Sequence, residues 1–320
     1  MNPPLLEVKN LNTVFTVKGH TVTAVDDVSF VVPEKTMVGI VGESGSGKSV
    51  TALSVMGLLA ANGKTVGGEI RWQGQDLRQQ SAKDWHAVRG RDIGLIFQNP
   101  LAALNPVFSI GSQMIETIQL HRKATKTEAK AIAIDLLKQV NIPDPDVRLN
   151  DYPHQFSLGM CQRIMIALTL AMQPKLLIAD EPTASLDVTI QAQVLALLDH
   201  LKSDMSVLLI SHDMGVVAQY CDFILVMYLG KIIESGTPAH IFKHPQHPYT
   251  QALIGAIPNP DPDHKHKPEL LKGDIPSPMN LPSGCRFHTR CPKAMPHCST
   301  QVPQWQVDST GHGVACWLYS

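Results

Sequence analysis

Apolar residues in this chain fall into short runs separated by turn residues, and their period changes from segment to segment. Alternation in Leu6-Glu7-Val8 and Val28-Ser29-Phe30-Val31-Val32, on either side of a Lys18-Gly19-His20 turn, predicts an antiparallel strand layer over residues 5–32. Continuous apolar runs at 37–41, 176–179 and 207–210 predict strands buried on both faces. Residues 67–74 read as a short hairpin, 92–97 as a strand broken by Asn99-Pro100, and 223–236 as a closing hairpin. Helical spacing covers 50–59, 110–140 (Met114, Ile115, Ile118, Ile132, Ile134, Leu136, Leu137), 164–172 and the stretch ending near Leu201. Residues 238–256 read as helical but interrupted. Strands alternating with helices give an α/β class with a largely parallel core.

Beyond Ile257 the composition shifts. Residues 258–282 are proline-rich and include a charged run at 261–267, so we place a linker there and a domain boundary between 257 and 258. The chain thus divides into 1–257 and a C-terminal extension, 258–320.

The 320 residues suffice for a full core, and the formal charge of −1 lacks the basic excess that phosphate-backbone binding needs, which argues against nucleic acid as a partner. No apolar run is long enough to span a bilayer, and the N-terminus has no charged-then-apolar leader, so the expected compartment is the cytosol. Six cysteines in that compartment do not suggest a disulfide framework, yet four of them crowd into residues 285–320.

The strongest chemical signal is Gly42-Glu43-Ser44-Gly45-Ser46-Gly47-Lys48-Ser49, between a buried-strand run and a helical run. Glycines let the backbone turn tightly and present N–H groups to an anion at a helix N-terminus; Lys48 can reach phosphate oxygens and Ser49 can offer a hydroxyl to Mg²⁺. Asp180 and Glu181 end a second strand, a pattern that also occurs as helix caps. After a phosphate loop, the first carboxylate suits a Mg²⁺ shell and the second an attacking water. Gln98 and His212 also follow strand runs, where an amide or imidazole can reach Mg²⁺, water or a γ-phosphate. Phe15 is a core aromatic by default and a base-stacking candidate by its place in the chain.

Together these residues resemble the nucleotide-binding subunit of an ATP-binding cassette (ABC) transporter. The resemblance implies a P-loop NTPase fold of ABC type: a RecA-like core, an antiparallel β subdomain and a helical subdomain at about 100–172. It makes 42–49 the Walker A loop, with Gly42, Ser44, Gly45, Ser46, Gly47, Lys48, Ser49 and Val50 around ATP, and Ser49 and Gln98 serving Mg²⁺. Gln98 becomes the Q-loop, Asp180 the Walker B aspartate, Glu181 the catalytic base, Ser185-Leu186-Asp187 the D-loop and His212 the switch histidine. The signature segment falls on 156–160, with Ser157 and Gly159 facing the nucleotide of a partner subunit. Leu158 stands where that family usually has glycine, and a branched side chain there either obstructs the phosphate or forces a changed backbone. The implied partners are two transmembrane permease subunits, a second ATPase subunit and, indirectly, a solute-binding protein. The departure at Leu158 leans towards a non-identical sister ATPase.

The tail narrows the resemblance. His247-Pro248-Tyr249-Thr250, Gly284-Cys285-Arg286-Phe287 and Arg290-Cys291-Pro292 are similar to the C-terminal extension of dipeptide and oligopeptide importers, whose relatives include nickel importers. Cys285, Cys291, Cys298 and Cys316 can be read as ligands for zinc or an iron–sulfur cluster, or as unrelated buried thiols; the resemblance implies a [4Fe–4S] cluster. Cys161 and Cys221 read as ordinary buried residues. The expected activity is ATP hydrolysis coupled to peptide import at the cytoplasmic face of the bacterial inner membrane. A soluble ABC ATPase acting on nucleic acid and a catalytically dead regulatory module are the other readings.

Overall fold

The computed structural model describes residues 4–184, 186–257 and 273–319. They form two compact units that the chain visits alternately. The first draws on 1–32, 37–78 and 210–320, and the second on 33–36 and 79–209.

In the first unit, Leu6–Val17 pairs antiparallel with His20–Val32 and, on its other edge, with Gly63–Trp72, which continues to Gln75–Asp76. Leu6, Val8 and Leu11 are buried on one strand and Val25, Val28 and Val32 on the next, so the alternation predicts the covered face. The expected hairpin at 67–74 is longer than its pattern suggests. Gly67-Gly68 does not end the strand, because Gly68 lies at a bulge where a Cβ would strike the carbonyls of Lys9 and Asn10. The reversal comes at Gln73-Gly74, both at positive φ.

The same unit holds a second set of strands in the order Gln306–Val307, Gly313–Val314, Lys231–Gly236, Phe223–Tyr228, Met37–Val41. Met37–Val41 is buried at all five positions and runs parallel to Phe223–Tyr228. The C-terminal extension joins this layer, for Gly313–Val314 pairs antiparallel with Lys231–Gly236. Helices Lys48–Val55, Met214–Tyr220, Pro238–Lys243 and Pro248–Gly255 complete the unit. The last two realise the expected interruption, each opening with a proline where a helix N–H has no partner to lose.

In the second unit Ile93–Ile96 runs parallel to Leu176–Asp180, whose other neighbour is Ser206–Ser211. The pattern over 110–140 predicts one helical stretch, and the structure has two, Ile110–Arg122 and Lys126–Gln139. Lys123 turns to positive φ, and Thr125 starts a new helix by accepting from Glu128 N while Glu128 reaches back to Thr125 N. Met114, Ile118, Ala133 and Leu137 are buried; Ile115, Ile132 and Ile134 are half-buried. Leu158–Leu170 supplies Ile164, Met165 and Ile166 to the same core.

Among the described residues no helix is long and apolar enough to cross a membrane. Of the expected linker at 258–282, residues 258–272, and with them the boundary between 257 and 258, lie outside the described residues, and 273–282 carry no helix or strand.

Candidate nucleotide site

The phosphate loop leaves the buried strand Met37–Val41 and enters the helix Lys48–Val55. Gly42 must lack a side chain because a Cβ would collide with the carbonyl oxygen of Met227. Gly45 and Gly47 have φ of 77° and 105°, and Gly47 stands at the helix start, so the backbone curls where only glycine does so without strain. Ser46 N donates to Glu43 O at 3.2 Å, and Gly230 N donates to Ser46 O at 2.7 Å. Ser44 and Gly45 are exposed at the crest, and Ser49 and Val50 are half-buried behind it.

Two features show that this loop fits an anion. Lys48 is only 4% exposed, and its ammonium donates to the carbonyls of Gly42 (2.8 Å) and Glu43 (3.0 Å), so it is held across the mouth of the loop. Ser46 Oγ is buried without a hydrogen-bond partner. A buried hydroxyl left unpaired costs roughly 1–3 kcal/mol, which a phosphate oxygen would offset. For Mg²⁺ the hydroxyl of Ser49 in the first helical turn is an oxygen donor of the type that a hard cation takes.

His212 directly follows Ser206–Ser211 and is exposed in the first unit. Its neighbour Asp213 caps Met214–Tyr220, accepting from Gly215 N (2.7 Å) and Val216 N (3.3 Å), which fixes the strand-to-helix turn. Phe15 is half-buried, and its ring covers Gly63, where a Cβ would come within 2.6 Å of it. Packing within its own sheet therefore accounts for this ring.

In the second unit Gln98 and Glu181, which follow the parallel strands Ile93–Ile96 and Leu176–Asp180, meet: Gln98 Nε2 donates to Glu181 Oε2 at 3.0 Å. Glu181 has φ of +44°, a left-handed conformation that costs a non-glycine residue about 1–3 kcal/mol and is concentrated at functional sites. Asp180 is half-buried at the strand end. Ser157 caps Leu158–Leu170 by accepting from Met160 N, and Gly159 is buried where a Cβ would press on Ile190. Leu158 is the first residue of that helix, in ordinary helical backbone, so its side chain forces no local distortion. Asp187 caps Val188–Leu201, and Ser185 lies outside the described residues.

The expectation for the tail needs correction. Cys285, Cys291, Cys298 and Cys316 do converge on the lining of one small cavity. Yet among the described residues no group of three or more His, Cys, Asp or Glu is placed to hold a metal ion, and none of the six cysteines is in a disulfide. The iron–sulfur and metal-binding assignments are therefore not supported. Burial raises the Cys285 thiol to about 11, with backbone hydrogen bonding opposing and the neighbouring cysteines adding to the rise, and it pushes Cys291 and Cys316 up as well. Cys161 and Cys221 are buried as expected, with the Cys161 thiol 3.4 Å from Pro153 O.

One set of contacts at the loop was not legible from the motifs. Arg290 forms a bidentate pair with Glu43, Nη1 to Oε2 at 2.7 Å and Nη2 to Oε1 at 3.1 Å, and Glu43 N donates to Tyr249 Oη at 2.8 Å. Arg290 and Tyr249 lie inside Arg290-Cys291-Pro292 and His247-Pro248-Tyr249, which served above only as marks of resemblance. The signal was a carboxylate within a loop meant for anions, since Glu43 needs a cation nearby.

Comparison with known proteins agrees with the geometry. Residues 25–184 match the family model described as ABC transporter, and 233–298 match the oligopeptide/dipeptide transporter C-terminal region. The dipeptide transport ATP-binding protein DppD of Bacillus subtilis (strain 168) is 47% identical over 319 residues, 98% of this chain and 94% of the relative. The oligopeptide transport ATP-binding protein AppD of the same organism is 46% identical over 318 residues, 98% of this chain and 97% of the relative. Among solved structures, the ATP-binding cassette MJ0796 in a dimeric post-hydrolysis state bound to ADP and Pi matches with a TM-score of 0.66 and 25% identity, over 73% of this chain and 98% of that one.

Proposed function

The chain belongs to the ABC transporter ATP-binding family, in the branch with an oligopeptide/dipeptide transporter C-terminal region, and we propose that it hydrolyses ATP to energise import of di- or oligopeptides through a pair of membrane permeases. The observation that carries the ATPase reading is the glycine loop with Lys48 held across it and Ser46 Oγ buried and unpaired. The peptide cargo rests on the relatives named above.

In this reading Lys48 exchanges its two carbonyl partners for phosphate oxygens, and Ser46 gives its hydroxyl hydrogen to one of them. Glu181 accepts a hydrogen bond from the attacking water and orients it, and Gln98 holds the Glu181 carboxylate in place. His212 donates to the γ-phosphate. Ser49, Gln98 and Asp180 are the residues that would hold Mg²⁺, which would supply charge neutralisation of the phosphates. Ser157 and Gly159 serve the nucleotide of a second ATPase subunit, which we take to be a sister chain. The complex sits at the cytoplasmic face of the inner membrane and receives its cargo from a solute-binding protein.

Affinity purification of the tagged chain from detergent-solubilised membranes tests this. Recovery of two permeases and a second ATPase, with ATP hydrolysis stimulated by a peptide-loaded binding protein, is the expected result. Recovery from the soluble fraction with nucleic acid and no permease would overturn it.

A further inference from the structure

The tail residues that grip the phosphate loop lie outside every nucleotide motif. Arg290 is 8% exposed and comes from the C-terminal extension, 247 residues beyond Glu43, yet both its terminal nitrogens bond the Glu43 carboxylate. It lies beside Tyr228, which packs with Tyr249 and Phe287 at ring separations of 4.7 and 5.3 Å. Tyr249 takes the Glu43 backbone N–H. A second grip acts one step away: Arg286 bonds Asp26 and the Leu229 carbonyl, and the next residue, Gly230, donates its N–H to Ser46 O of the loop at 2.7 Å. The extension thus reaches the loop directly at Glu43 and through the 229–230 turn at Ser46.

We propose that Arg290 is a positioning residue for ATP: it neutralises and fixes the Glu43 carboxylate, so that a negative charge built into the phosphate loop does not repel the phosphates and the loop keeps its shape. Glu43 N–H is bound to Tyr249 Oη and Glu43 C=O accepts from Ser46 N, which anchors the backbone from which the carboxylate projects. Its charge is consequently fixed beside the anion site. With Arg290 in place the Glu43–Arg290 pair sums to zero; without it, the Glu43 carboxylate, about one-quarter exposed in the pair, offsets part of the Lys48 charge that draws the nucleotide. The extension is then a working part of the nucleotide site as well as a mark of the peptide-importer branch. The inference rests on the reading of 42–50 as the ATP loop.

The test uses the full-length chain, with Mg-ATP binding measured by titration calorimetry and folding by thermal melting. Arg290→Met keeps the apolar stem and removes the charge. Its Kd and KM for ATP should rise about tenfold, with kcat changing less, a size typical of one unscreened unit charge several ångströms away. Removing the opposing charge in Glu43→Gln/Arg290→Met should bring the Kd back to within about threefold of wild type, and higher salt should narrow the single variant's deficit. Wild-type affinity in a folded Arg290→Met chain would overturn the proposal, as would a double variant no better than the single one. If Arg290→Met does not fold, Glu43→Asp keeps the charge and shortens its arm; several-fold weaker ATP binding is expected, and an unchanged Kd overturns the proposal. A wild-type chain that binds no ATP would instead remove the nucleotide reading itself.

Discussion

Gln98 Nε2 donates to Glu181 Oε2 at 3.0 Å, joining the residues that follow two adjacent parallel strands. Since Glu181 is already held at φ of +44°, the amide fixes the rotation of a carboxylate whose backbone is fixed too. Glu181→Gln keeps this shape and removes the base. We expect its ATPase rate to fall by about 10²–10⁴, the range for losing general-base assistance, with the ATP Kd within a few-fold of wild type. Gln98→Ala should cost less, because the carboxylate survives and only its orientation loosens. Steady-state hydrolysis beside equilibrium nucleotide binding separates the two, and an active Glu181→Gln enzyme would remove Glu181 from the base role.

Ser46 predicts opposite signs for stability and binding. Its hydroxyl is buried with no partner, so Ser46→Ala deletes an unsatisfied group and should leave the melting temperature equal or higher, by up to about 1–3 kcal/mol of stability. ATP affinity should fall a few-fold because the phosphate loses a donor. A drop in both would mean that the hydroxyl supports the free loop instead.

Much of the site could be read from the sequence because its parts are local. Gly42 to Lys48 must form a tight loop between a strand and a helix, and steric and dipolar rules act over those few residues. Strand ends were equally legible, since Gln98, Asp180 and His212 each follow a buried apolar run. The break at 123–125 was legible in retrospect: Thr125-Lys126-Thr127-Glu128 is a capping box, which outweighed continuous apolar spacing. What could not be read depends on contacts distant in sequence. The Glu43–Arg290 pair spans 247 positions: a carboxylate in the phosphate loop calls for a cation, but no local rule says which one answers. The tail misled in the other direction: its resemblance implied a [4Fe–4S] cluster, whereas the four cysteines line one cavity without forming, among the described residues, a group placed to hold a metal ion.

Leu158 sits in unstrained helical backbone, so whatever it does at the signature segment it does by bulk. Its side chain is half-exposed at the helix start, between Ser157 and Gly159, where it would crowd a partner's phosphate bound by those two residues. Leu158→Gly in the assembled transporter should raise transport-coupled ATP hydrolysis. Glycine at that first helical position should cost the isolated chain about 1 kcal/mol or less. An unchanged hydrolysis rate in a complex that still assembles would show that bulk at this position is not limiting.

His247 makes the chain sensitive to mild acid. It is 1% exposed, its Nδ1 accepts from Tyr249 N at 3.0 Å as the cap of Pro248–Gly255, and burial pushes its pKa down to about 3. The folded state therefore keeps the imidazole neutral while the unfolded chain, titrating near 6.5, takes up a proton. A depressed folded pKa means that the stabilisation is present above the unfolded value and is lost as pH falls from about 6.5 towards about 3. By pH 5 the loss amounts to about 2 kcal/mol, before any contribution from carboxylates. His247→Asn keeps an acceptor for the Tyr249 N–H and cannot titrate. Its melting temperature should start lower at pH 7.5, because Asn fills the pocket less well, and should decline less between pH 7.5 and pH 5 than that of wild type. Parallel declines in the two proteins would place the acid-sensitive group elsewhere.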